Sequence, residues 1–113
     1  MHDAARDEPG PAPYPPAEPP ARLYHAVSAD RLAVVLADGL RPTGKPHVHL
    51  ARQPVHARNA IRGELRPVVL AVDAAAMHAA GFTFYASPKG TWLTAHVPPR
   101  FLSAAGAVAE EAP

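Results

Sequence analysis

The sequence predicts an α+β fold, a small mixed sheet with short flanking helices. Three observations carry this expectation. Short strand-like runs of apolar and β-branched residues recur along the chain. The helical patterns between them leave little room for long crossovers. The last two runs, "FTFYA" and "TWLTAHV", are joined by "SPKG", a turn-compatible stretch with Pro88 and Gly90. A chain of 113 residues holds one domain at most.

The elements follow in order. Residues 1–21 form a leader whose first twenty positions hold seven of the fifteen prolines and few aliphatic side chains. Such a segment buries too little apolar surface to offset its ordering entropy, so disorder or a polyproline-like state is expected. The folded domain is placed at 22–102 and a flexible tail at 103–113. "RLYHAV" reads as a strand. "SADRLAVVLADGL" reads as a helix, with Ser28 as N-cap and Leu32, Val35 and Leu36 on one apolar stripe. Gly39 and Pro42 end it. "HVHLA" is the second strand, and "QPVHARNAIRGE" a helix opened by Pro54. "RPVVLAVD" has the β-branched run of a central, doubly buried strand. Asp73 caps a short helix, "AAAMHAA", before the hairpin.

Composition excludes some chemistry. The chain has no cysteine, so disulfide and thiolate reactions are out. No run approaches a membrane span and no signal-peptide core follows the start, so a cytoplasmic protein without a membrane partner is expected. The net charge is only +1, but the charges are segregated. Residues 39–67 hold six bases, Arg41, Lys45, Arg52, Arg58, Arg62 and Arg66, against one acid, Glu64. His47, His49 and His56 lie in the same stretch. That potential suits an anion.

Three site chemistries are open on spacing alone. His47 and His49 stand two residues apart on a strand, where alternation would put them on one face, like half a zinc site. No carboxylate or cysteine stands at ligand spacing beside them, so no metal is expected. Ser28, Ser87 and Ser103 lack the nucleophile-elbow context of a serine hydrolase. A phosphate site fits better. A helix start after Ser28 follows His25, and Arg41, Lys45 and His47 flank the turn into strand two. There is no P-loop and no Gly-x-Gly-x-x-Gly.

Taken in order, "LYHAV", "GLRP", "HVHLA", "PVVLAVDAAAMHAAGFTFYASPKGTWLTAHVPPRFL" resembles the C-terminal lobe of the RNA 2′-phosphotransferase family, over 23–102. The resemblance implies an ADP-ribosyltransferase-type sheet that binds NAD as co-substrate. The implied reaction moves an RNA 2′-phosphate, or that of a related acceptor, onto the ADP-ribose of NAD and releases nicotinamide. The acceptor phosphate is already an anion, so the reaction needs positioning and cations more than a general base. The family's winged-helix-like N-terminal lobe, which reads RNA through an Arg-His pair, has no counterpart in these residues. The resemblance then implies that a separate RNA-binding chain supplies it as a partner, that the acceptor differs, or that the domain no longer catalyses.

The resemblance also assigns residues. His25, His49 and Arg62 become the catalytic candidates, His25 at the NAD ribose. Arg62 stands one position from the family's arginine, which aligns with Gly63. His25, Ala26, Arg41, Lys45, His47, His49 and Ser87 become the NAD-binding set. Ala26 replaces a glycine whose backbone grips the nicotinamide amide. Val27 replaces a hydroxyl residue, Ala51 a serine, Lys45 an arginine, and Pro88-Lys89 an Asp-Asn pair. The alternatives are a catalytically degenerate NAD or ADP-ribose binding module and an unrelated interaction domain with His25 and His49 in its core.

Overall fold

The computed structural model describes residues 13–42, 45–61, 63 and 66–105. Arg62, a catalytic candidate, lies outside them. The class is α+β. Among the described residues every strand pairing is antiparallel, and the strands form two three-stranded sheets rather than one mixed one.

The first sheet is built on β1 (Arg22–Ser28) and β3 (Pro67–Asp73), paired along their whole length from Arg22↔Asp73 to Ser28↔Pro67. β3 is the central strand, as its run of valines predicts. Its other edge carries β6 (Leu102–Ala104), with Leu70 opposite Ala104. The second sheet has order β2-β5-β4, from β2 (Val48–Leu50), β4 (Phe84–Ala86) and β5 (Trp92–Thr94). The two sheets meet where Tyr24 and Ala51 exchange both backbone hydrogen bonds at 2.8 Å.

Among the described residues three short helices flank the sheets. A 3-10 turn over Ala29–Arg31 leads into α1 (Leu32–Asp38). Ser28 makes no side-chain cap bond there. Only Val35 of α1 is buried. Leu32 packs at the core's edge, but Leu36 is 49% exposed beside Val34, so the expected stripe is one residue narrower. Gly39 ends α1 at φ +84° and ψ −177°, a region open essentially to glycine alone. A Cβ there would meet the Val97 carbonyl oxygen, because Leu40 and Val97 are bonded to each other in an isolated bridge. α2 (Pro54–Asn59) opens on Pro54 and buries Ala57. α3 (Ala74–Ala79) is capped by Asp73, whose carboxylate accepts from Ala76 N–H at 3.1 Å.

The core lies between the sheets and helices. Leu23, Leu50, Leu70, Val72, Met77 and Phe84 are its largest fully buried apolar side chains. Thr94 joins them with its hydroxyl donating to the Thr83 carbonyl at 2.9 Å. A 3-10 turn over Pro99–Phe101 brings Phe101 edge-on to Phe82.

Both ends depart from expectation. Residues 13–21 do not stand off as a leader. Pro16 bridges to Tyr85, Ala17 N–H donates to the Phe84 carbonyl at 2.9 Å, and Pro19 is buried. Prolines supply rigid, low-entropy chain that an open sheet edge can accept. At the other end, Ser103 and Ala104 belong to β6, and buried Ala105 donates to Val69. They are held because β3 offers an edge, not by any strand pattern of their own. The first twelve residues and those after 105 lie outside the described set. Among the described residues no helix is long and apolar enough to cross a membrane.

Candidate nucleotide-binding site

The site forms at the seam of the two sheets. His25 on β1 and His49 on β2 are 24 residues apart in sequence, and the Tyr24–Ala51 bridge brings their strands together. His25 Nδ1–H donates to the His49 carbonyl at 2.8 Å. That bond fixes the tautomer, leaving Nε2 as an acceptor while the ring is neutral. Burial above all pushes the His25 imidazole below its ordinary value of 6.5, against the carbonyl bond and with help from the charge of Lys45. His49 is also lowered, by burial first and then by Lys45, His47 and His25. At neutral pH the pair therefore presents ring nitrogens that accept hydrogen bonds, in the field of a nearby lysine.

Ala26 follows His25 and is nearly fully buried. The backbone of Tyr24 bonds sideways to Ala51, so alternation along an antiparallel strand aims the Ala26 N–H and C=O off the same edge of β1, away from β3. β2 ends its pairing before that point. Its φ is not positive, so alanine holds the strand geometry without strain.

Two clefts open here. The first has a volume of about 400 Å³ and reaches from His25 and His49 to Lys45, Arg52, His56 and Lys89. Its described lining contains no carboxylate. The second, about 590 Å³, runs under α1 past Arg31, Asp38 and Arg41. His25, Ala26 and Ile61 line both, so the two make one bent trough. Each lies within the usual size range of small-molecule sites, roughly 300–1,000 Å³.

The sequence-predicted residues divide accordingly. His25, Ala26, Lys45 and His49 come together in the first cleft. Arg41 lines only the second. His47 does not share the face of His49. It precedes β2, outside the period-two register, and is buried edge-on against Tyr85 with ring centroids 5.7 Å apart. Ser87 lines neither cleft. Its hydroxyl accepts from the Thr91 N–H at 3.2 Å and the Lys89 N–H at 3.3 Å, shaping the β4–β5 turn. Through that turn Lys89, Gly90 and Thr91 reach the cleft. Arg52, His56 and Lys89 entered the sequence reading only as charge or turn residues. The signal available was the excess of bases over acids around β2 and α2, which gives sign but not position. Among the described residues no three His, Cys, Asp or Glu gather to hold a metal ion.

The family profile described as RNA 2′-phosphotransferase, Tpt1 / KptA family, matches residues 3–96. A probable RNA 2′-phosphotransferase of Streptomyces griseus is 51% identical over 90 residues, covering 78% of this chain and 47% of that protein. One from Streptomyces coelicolor is 49% identical over 90 residues, covering 78% and 48%. One from Burkholderia lata is 44% identical over 92 residues, covering 79% and 46%. The chain thus spans about half the length of these curated relatives. With most of its length matched by the profile and half its aligned residues identical to a relative's, the chain belongs to the RNA 2′-phosphotransferase, Tpt1 / KptA family.

Proposed function

We propose that this chain is the NAD-binding part of an RNA 2′-phosphotransferase, which moves the 2′-phosphate of an RNA acceptor to the ADP-ribose of NAD. The observation that carries this reading is the cleft, free of carboxylates among its described lining, that sets His25 and His49 together beside Lys45. NAD, as substrate, supplies an electrophilic ribose carbon and a neutral nicotinamide leaving group. The residues present suit such a ligand. The paired N–H and C=O of Ala26 match the acceptor and donor of a carboxamide. The Nε2 of neutral His25, and the ring of His49 beside it, can accept hydrogen bonds from ribose hydroxyls. Lys45 in the first cleft and Arg41 in the second are cations available to a pyrophosphate. An already ionised phosphate needs no base to attack, so the absence of acids from the described lining of the first cleft fits phosphate transfer.

The test is incubation with NAD and an oligoribonucleotide bearing one internal 2′-phosphate. The expected result is NAD-dependent loss of that phosphate with release of nicotinamide. A second reading, a degenerate NAD or ADP-ribose binding module, is favoured by Ala51, which lines the cleft where the family has a serine. In that case NAD stabilises the chain but the phosphate stays on the RNA. Absence of both effects contradicts both readings.

A further inference from the structure

The first cleft holds more positive charge than a dinucleotide uses. A pyrophosphate brings two negative charges. Lys45 in the first cleft and Arg41 in the second already match them, and Arg31 and Asp38 of the second cleft offset each other in charge. The cations Arg52 and Lys89 remain, and they line only the first cleft, as does His56. All three are exposed, whereas His25 and His49 below them are half-buried. The cleft thus has a floor of neutral imidazoles and a rim of cations. The rim draws on two separate elements. Arg52 and His56 come from the entry and first turn of α2, and Lys89 from the β4–β5 turn. Ser87 holds that turn by accepting from the Lys89 and Thr91 N–H groups, so Lys89 sits on a shaped turn. No carboxylate among the described lining residues competes for these cations.

We propose that Arg52 and Lys89 grip the phosphodiester backbone of a single-stranded RNA acceptor as it crosses the mouth of the cleft. Exposed cations spaced around an opening suit a repeating anion, since each phosphate contact releases a condensed counterion and adds to affinity whatever the base sequence. The half-buried histidines lie too deep for that role and stay with the dinucleotide. The identity of the anion as an RNA acceptor rests on the function proposed above; the charge layout does not.

The experiment measures binding of a fluorescein-labelled single-stranded oligoribonucleotide with one internal 2′-phosphate, by anisotropy, without NAD, between about 50 and 200 mM salt. NAD affinity is measured on the same proteins. The native chain should bind the oligonucleotide, with log affinity falling linearly against log salt. Arg52→Ala and Lys89→Ala should each weaken RNA binding several-fold at the lowest salt and flatten the slope by about 0.7, the value of one single-strand phosphate contact. NAD affinity should stay within twofold, and Lys89→Arg should keep the slope. Both side chains are exposed, so melting temperatures check that the variants remain folded. The proposal is overturned if the native chain shows no salt-dependent RNA binding. It is overturned equally if the variants lose NAD affinity with RNA binding unchanged, or if they change neither. RNA binding that depends on Arg52 and Lys89 without phosphate transfer would keep the rim and remove only the enzymatic reading.

Discussion

The two sheets are built differently and are used differently. β1 and β3 pair over seven consecutive positions, and β6 extends the ladder on the far side. The strands of the second sheet pair over three positions each. A long ladder gains stability from its own hydrogen bonds and cross-strand pairs. A three-residue ladder cannot, and depends on side chains driven into the core. Phe84, Leu50 and Thr94 supply that anchorage and are among the most deeply buried residues of the molecule. The short sheet ends in turns and bends, and those carry Lys45, Arg52 and Lys89 to the cleft. The long sheet contributes His25 and Ala26 at fixed positions. The long ladder thus fixes His25 and Ala26 beside His49 of the short sheet, while the turns and bends of the short sheet set the charge of the site.

Core truncation tests this contrast with the largest effects. Phe84→Ala removes the chief anchor of the short sheet and should cost about 3–5 kcal/mol, and Leu70→Ala in the long sheet about 2–5 kcal/mol. Denaturant melts give both values. If the sheets differ as described, hydrogen exchange in Phe84→Ala should quicken first at Val48–Leu50 and Trp92–Thr94, with β1 and β3 still protected. Uniform loss of protection would mean that the sheets open as one. Asp73→Ala should cost about 1 kcal/mol by removing the cap bond to Ala76, and should leave NAD affinity unchanged because Asp73 lines neither cleft.

A smaller effect should appear with pH. His25 titrates below its ordinary 6.5 in the folded state, so between 6.5 and that lower value the unfolded chain binds more protons. Stability should therefore be full above about 6.5 and decline as pH falls below it. His25→Gln, which removes this titration, should flatten the decline in melting temperature between pH 7 and pH 5. An unchanged acid slope would mean that the imidazole is as easily protonated in the fold as in water.

How far the sequence spoke follows the same division. β3 was legible because its valine-rich run needs burial on both faces, and the Asp73 cap because its bond is local. His25 and His49 were legible as a pair through their ordered neighbours. His47 was misplaced because period-two alternation was extended one residue past the start of β2. β6 carries no pattern of its own and exists because β3 has an edge to fill. The same holds for Pro16 and Ala17 against β4. Arg52, His56 and Lys89 stand on separate segments, and only the tertiary arrangement of the short sheet and α2 gathers them. Local chemistry was readable; convergence of loops was not.

The central claim is that the seam between the sheets binds NAD through His25 and His49. Thermal stabilisation by NAD, compared between the native chain and His49→Ala, tests it most directly. The native chain should gain about 2.7 kcal/mol at one hundred times its Kd. His49→Ala should require several-fold more NAD for the same gain, while melting without ligand close to the native temperature. No shift of the native chain with millimolar NAD or ADP-ribose would contradict the account, as would a His49→Ala chain that responds to NAD as the native one does.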